Sequence, residues 1–161
     1  MKISNRELME LSIKIEQEGQ AFYKKLAPHI SDPVVREFLL LMAKDEKEHE
    51  EHFKRIFGEE GGRNHGWESD PALREVIDQR FKPGLFPDVD ALLAEWPKEN
   101  GIRKALETAL KAEEAAVEFY GTLRKDAEDL ETKCLMIELE NEEKAHRDYI
   151  QRLIREKVYT G

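Results

Sequence analysis

The sequence predicts an all-α protein, a four-helix bundle made of two repeated helical hairpins joined by a long crossover. Apolar residues recur every three or four positions through two long stretches, residues 3–57 and 101–157, which is the periodicity of amphipathic helices. These stretches also match one another in a single register, since Glu16 corresponds to Glu113, 97 positions later. Ala, Glu, Lys, Leu and Arg dominate the composition, as is typical of helical proteins.

The first hairpin has recognisable helix boundaries. Ser4 and Glu7 have the spacing of a capping box, which predicts that the first helix begins there. Pro28 is expected to end that helix. The second helix is expected to begin with Pro33 in its first turn, where the missing N–H costs nothing, and to end at Gly58.

The segment between the two hairpins differs from them in composition. Residues 58–100 contain prolines at 71, 83, 87 and 97 and are too short and broken for a core of their own. We therefore expect one domain, residues 1–161, in which this segment is the crossover between the hairpins. Within it, helical turns are expected at 72–81 and 88–95; the third and fourth long helices are expected at about 102–125 and 130–157.

Composition excludes several functional classes. The net charge of −9 argues against non-specific binding of nucleic acid. A single cysteine, Cys134, excludes an intramolecular disulfide and any cysteine-rich metal site. No apolar run has the length of a membrane span, and the first residues do not resemble a signal peptide. We expect a cytoplasmic protein with no nucleic-acid or membrane partner.

The match between the hairpins favours a true internal repeat. Besides the glutamates, Phe22-Tyr23 corresponds to Phe119-Tyr120, and His49 corresponds to His146, without any gap. Amphipathic hairpins can align by chance on Leu, Glu and Lys. A shared histidine and two shared aromatic residues in one register make chance the weaker explanation.

Polar residues interrupt the apolar stripes at one level of the predicted bundle. Two Glu-x-x-His pairs place a carboxylate and an imidazole on the same helix face, and each partner helix has one glutamate on its apolar stripe. In each hairpin these residues are equidistant from the turn, so they are expected to meet at one height. The candidate metal ligands are Glu16, Glu46, His49, Glu113, Glu143 and His146.

Four carboxylates and two imidazoles are the donor set of bundles that hold two metal ions. Buried glutamates are costly unless they are paired or bind a cation. Oxygen and imidazole donors suit iron or manganese, with zinc as an alternative. The competing interpretation is a buried Glu/His network without metal. Tyr23 and Tyr120 lie on the same faces and are expected to hydrogen-bond ligand carboxylates, although each could equally be a core aromatic residue.

Other titratable residues are interpreted as solvent-exposed. The segment His49-Glu50-Glu51-His52 is not a zinc-protease motif, because its histidines are three positions apart rather than four. The residues assigned to the surface are His29, His52, His65, Glu18, Glu48, Glu114 and Glu142, with Glu18 and Glu114 left open as supports of the ligands.

Together these motifs resemble the rubrerythrin family of the ferritin-like superfamily. The similarity covers residues 3–57 and 101–157 and is strongest over residues 15–27, where Glu-x5-Phe-Tyr occurs. It implies a ferritin-like bundle and a di-iron centre on the six candidate ligands. The chain departs from rubrerythrins in having no four-cysteine rubredoxin-type domain, and in having Ala116 where they have a further glutamate.

Three functional hypotheses follow from the resemblance and from the residues themselves. The first is a di-iron peroxidase or oxidase that reduces hydrogen peroxide or dioxygen in oxidative-stress defence, using a separate electron donor such as a rubredoxin-type protein. The second is ferrous iron oxidation or iron binding without turnover. The third is a metal-free helical interaction module. Each hairpin supplies half of the ligands, so a homodimer that pairs hairpins between chains is also an alternative.

Overall fold

The computed structural model describes residues 3–58, 65–95 and 98–158, which form helices and no strand. This confirms the predicted all-α class and the four-helix bundle. The bundle consists of α1, α2, α5 and α6, and the crossover contains α3 and α4. Their bounds are α1 Asn5–Leu26, α2 Pro33–Gly58, α3 Pro71–Val76, α4 Val89–Glu95, α5 Lys98–Asp126 and α6 Leu130–Leu153.

The helix starts follow from local capping. The Glu7 N–H donates to Ser4 Oγ over 3.1 Å, and the Ser4 N–H donates back to the Glu7 carboxylate over 3.0 Å. These two bonds are the predicted capping box at the start of α1. At the start of α6 the Thr132 N–H donates to the Asp129 carboxylate over 2.8 Å.

Several boundaries differ slightly from the sequence-based prediction. The second expected helical turn of the crossover is α4, and the first is α3 followed by a π-helical turn, Ile77–Phe81. Helix α5 begins at Lys98, earlier than expected, and α6 ends at Leu153 before a second π-helical turn, Ile154–Val158. Within the predicted crossover, residues 59–64 and 96–97 lie outside the described part of the chain.

The long helices pair as two hairpins, α1 with α2 and α5 with α6. Their apolar faces form two separate clusters of buried residues. Along α2, Met42 belongs to one cluster and Phe53 to the other, with Glu46 and His49 between them. The polar level predicted from the sequence therefore separates two apolar regions of the bundle.

The crossover packs against the bundle. Trp67, Leu73, Ile77 and Phe81 belong to the cluster that contains Phe53. Val89 belongs to the other cluster. No helix within the described ranges combines the length and the apolarity that a membrane crossing requires.

His65 is not a surface residue, so that prediction is wrong. Its side chain is 1% exposed, and its ring stacks on Trp67 with centroids 4.8 Å apart. Its Nδ1 lies 3.2 Å from Thr132 Oγ1. The Glu128 N–H donates to the His65 carbonyl over 2.9 Å, which ties this loop to the α5–α6 turn. The sequence around His65 is glycine-rich and gave no sign of this tertiary contact.

Candidate metal centre

The structure brings all six candidate ligands into one buried cluster at mid-bundle. Each of the four long helices contributes, and every one of the six residues is 4% exposed or less. Glu16 comes from α1 and Glu113 from α5. The Glu-x-x-His pairs come from α2 and α6. The helical stripes therefore do face inward at these positions, as their spacing indicates.

The cluster contains two overlapping sets of donors. In each set, one donor atom per residue lies within 4.8 Å of all the others. Glu46 and Glu143 belong to both sets, so these two carboxylates would be shared if each set held a cation. The first set is Glu16, Glu46, His49 and Glu143, and the second is Glu46, Glu113, Glu143 and His146.

Both imidazoles present Nδ1 to the carboxylates. His49 Nδ1 lies 3.0 Å from a Glu143 oxygen and 3.4 Å from a Glu16 oxygen. His146 Nδ1 lies 3.4 Å from Glu46 and 3.6 Å from Glu113. The two rings are nearly parallel, with centroids 6.4 Å apart.

The donor atoms that face this interior have no hydrogen-bond partner among the described residues. Buried carboxylate oxygens without partners are strongly unfavourable, because they lose hydration and gain nothing in exchange. Divalent cations would satisfy them, and the mixture of carboxylate and imidazole fits iron or manganese. The atoms are Glu16 Oε1 and Oε2, Glu46 Oε1, Glu113 Oε2, Glu143 Oε1 and Oε2, and Nδ1 of His49 and His146.

The pKa shifts of the clustered residues also favour cation binding. Burial, followed by the charge of Glu46, raises the pKa of Glu16 well above its ordinary value. Burial and the neighbouring Glu143 raise the pKa of Glu113 to about 8. Burial opposes protonation of His49, but the hydrogen bond to Glu142 and the nearby Glu143 and Glu16 carboxylates raise its pKa nonetheless. Without cations, the cluster must therefore retain protons, and metal ions would displace them.

Two carboxylates outside the predicted ligand set accept hydrogen bonds from the ring nitrogens that do not face the cluster. His146 Nε2–H donates to Asp45 over 3.0 Å, and His49 Nε2–H donates to Glu142. These bonds lower the pKa of each carboxyl. Glu142 was predicted to be solvated. Its side chain is 44% exposed, and it also accepts the hydrogen bond from His49. Such partners fix the tautomer of a ligating histidine and leave its other nitrogen free for metal.

The sequence did contain a signal for this pair. Asp45 and Glu142 are themselves 97 positions apart, each immediately before the glutamate of a Glu-x-x-His pair. Applying the repeat to every acidic residue beside the ligands would have found them.

The two tyrosines behave differently from one another. The Tyr23 hydroxyl donates to Glu113 Oε1 and so links α1 to α5. Tyr120 is fully buried, yet its hydroxyl makes no hydrogen bond within the described residues. The expected contact with a ligand carboxylate is therefore present in one half of the repeat.

The remaining acidic residues and histidines near the motifs lie away from the cluster. Glu48 and Glu114 are exposed. The Glu18 carboxylate accepts the Leu85 N–H over 3.3 Å and so contacts the crossover rather than the ligands. His29 is exposed and His52 is partly exposed, and neither belongs to a donor set.

Comparisons with known proteins agree with the fold. Residues 7–85 match the family Rubrerythrin. A hypothetical protein from Pyrococcus furiosus is 28% identical, with a TM-score of 0.72 over 94% of this chain and 90% of that chain. A protein from Thermotoga maritima, provisionally described as a ferritin-like diiron-carboxylate protein, is 17% identical, with a TM-score of 0.66 over 96% of this chain and 97% of that chain. A search among curated proteins found no match. Residues 7–85 of the chain therefore match the Rubrerythrin family, and the fold is similar to that of a protein described as ferritin-like.

Proposed function

We propose that this protein is a di-iron carboxylate oxidoreductase that reduces hydrogen peroxide or dioxygen, in defence against oxidative stress. The observation that supports it is the buried set of carboxylate and imidazole atoms that have no hydrogen-bond partner in the described part of the chain. The residues would hold two ions, one by Glu16 and His49, the other by Glu113 and His146, with Glu46 and Glu143 shared.

Bound iron would supply the redox chemistry, since two ferrous ions together can deliver the two electrons that reduce peroxide to water. The protein's own residues organise the site around that chemistry. Asp45 and Glu142 orient the imidazoles. Tyr23 Oη holds a proton against Glu113 and keeps this carboxylate in place.

The surroundings exclude bulk water. Apolar clusters lie on both sides of the polar level. A buried site of this kind suits a substrate of two or four atoms better than a large organic molecule. We propose that a separate protein, such as a rubredoxin-type donor, returns the electrons.

The test is anaerobic loading with ferrous iron, metal counting, and mixing with hydrogen peroxide or air in a stopped-flow instrument. Two irons per chain and a new ferric absorption band are expected with at least one oxidant. The double variant Glu46→Gln/Glu143→Gln should lose both the bound iron and the ferric absorption band, because it alters the two shared carboxylates. Glu48→Gln, on an exposed face of α2 beside Lys44, should behave like the parent. An unchanged spectrum with both oxidants refutes the redox function.

A second candidate function is ferrous iron oxidation or iron binding without peroxidase turnover. It is favoured by Ala116, which is buried and apolar at the position where rubrerythrins have a further glutamate. Iron stoichiometry separates the two functions, since many irons per chain indicate storage and two indicate a catalytic centre. Absence of bound metal after purification without a tag and ferrous loading would support a metal-free interaction module instead.

A further inference from the structure

We propose that Phe86, on the crossover, controls the access of small oxidants to the carboxylate cluster at Gly19. This inference rests on the proposed function and assigns its substrate route. It concerns a residue outside the ligand set, in the segment that leads into α4.

Phe86 and Glu46 approach α1 closely at residue 19 because this residue has no side chain. Gly19 is buried on α1, one turn after Glu16 and on the same face. A Cβ placed there would lie 3.3 Å from Glu46 Cγ and 3.3 Å from Phe86 Cε2. Phe86 and the shared ligand Glu46 therefore both pack against Gly19, and an added Cβ would crowd both side chains.

Phe86 also packs against aromatic residues of α1. Its ring packs on Phe22 with centroids 5.4 Å apart and on Tyr23 with centroids 5.7 Å apart. The side chain is only partly buried. The Cε2 edge of the ring lies next to Gly19, and part of the side chain is exposed.

A surface depression of about 270 Å³ is lined in part by Phe86. Phe22, Lys25, Asp88 and Val89 also line it. Phe86 thus lines the depression and also reaches Gly19, against which Glu46 packs.

The backbone around Phe86 is held in place, so the ring is the part that can move. The Leu85 N–H donates to Glu18 over 3.3 Å, and the Gly84 N–H donates to the Phe81 carbonyl over 3.1 Å. Val89, three residues later, is buried. Rotation of a partly exposed side chain is fast and needs no backbone change.

The other half of the repeat is closed at the equivalent place. The counterpart of Gly19 is Ala116, whose Cβ occupies the corresponding position, and it is 3% exposed. There the crossover supplies Phe81, which is fully buried against Phe119 with centroids 5.0 Å apart. This difference between the halves favours the first hairpin as the route. A passage beside one aromatic ring selects by size: hydrogen peroxide and dioxygen pass, and bulky alkyl hydroperoxides are excluded.

Azide binding to the iron-loaded ferric protein tests the route without relying on turnover. Stopped-flow absorption would give the association rate, the dissociation rate and Kd. Phe86→Ala should raise both rates about tenfold, equivalent to a barrier lower by about 1.4 kcal/mol, and leave Kd unchanged. Gly19→Ala should lower both rates. Leu85→Ala, the neighbouring change in the same segment, should leave all three values as in the parent.

The outcomes separate this inference from the proposed function. Fewer than two irons in the parent protein refutes the proposed function itself. Two irons with unchanged azide rates in Phe86→Ala overturn only the role of Phe86. A changed Kd without matched rate changes also overturns it, because the residue would then position the ligands. A parent centre that takes up no azide counts against the route as well. If the Gly19→Ala variant no longer binds iron, the azide rates of the Phe86→Ala variant alone test the role of Phe86.

Discussion

Removing the carboxylates that hold the imidazoles should weaken metal binding in a way that follows the repeat. Glu142→Ala deprives His49 Nε2 of its partner, and Asp45→Ala does the same for His146. Loss of such a partner typically lowers metal affinity about 10- to 100-fold, which is about 1.4–2.8 kcal/mol. The Asp45 and Glu142 side chains are 43% and 44% exposed. Water can therefore partly replace them, and we expect the lower end, about tenfold.

Each substitution should weaken the binding of only one of the two metal ions. Glu142→Ala should weaken the ion held by Glu16 and His49, and Asp45→Ala the ion held by Glu113 and His146. Glu142→Gln should cost less than Glu142→Ala, because its amide oxygen still accepts the Nε2–H bond, although without charge.

An anaerobic titration with Co²⁺ against a competing chelator measures both affinities. Glu48→Ala serves as the control, since Glu48 is exposed and contacts Lys44 rather than an imidazole. Equal affinities in the parent, Asp45→Ala and Glu142→Ala would refute the assigned role. A uniform loss that Glu48→Ala reproduces would indicate a general electrostatic effect instead.

Four further predictions concern stability, measured by urea unfolding. Burial and the nearby Asp70 carboxylate raise the pKa of Asp126 to about 6. The contribution of Asp126 to the free energy of unfolding is therefore fully present below the ordinary pKa of an aspartate and is lost as the pH rises through 6. Asp126→Asn should therefore raise the midpoint relative to the parent at pH 8 and change it little at pH 4; the reverse order would contradict the pKa shift. Gly66→Ala should cost about 1–3 kcal/mol, because φ is +107° and the new Cβ would collide with the Asp126 carbonyl. Gly121→Ala, in mid-helix near only a flexible Glu140 side chain, should be neutral or stabilising. Phe53→Ala should cost about 3–5 kcal/mol, since Phe53 is fully buried, and a loss below 1 kcal/mol would contradict its core position.

The long helices and the inward cluster were predictable because both depend on local periodicity. Glu46 and His49 interrupt an apolar stripe, and the structure places them in the interior as that pattern indicates. Equal distance from the turn correctly placed Glu16 at their level. The repeat then extended the argument to the second hairpin without new assumptions.

The features that were missed depend on contacts between distant segments. His65 is buried because its loop folds onto the α5–α6 turn, and nothing in its immediate sequence indicates that contact. Phe86 lies against Gly19 because the crossover returns along α1, which helical periodicity does not encode. The unequal hydrogen bonding of Tyr23 and Tyr120 likewise reflects side-chain placement rather than sequence spacing.

The division of the apolar interior into two clusters has a consequence for the cooperativity of unfolding. Without cations, the protonated polar layer offers little attraction between the two ends of the bundle, so each end can open as its own unit. Cations bound by all four long helices would join those units into one. Amide hydrogen exchange should then show two groups of opening free energies in the apoprotein and one in the loaded protein.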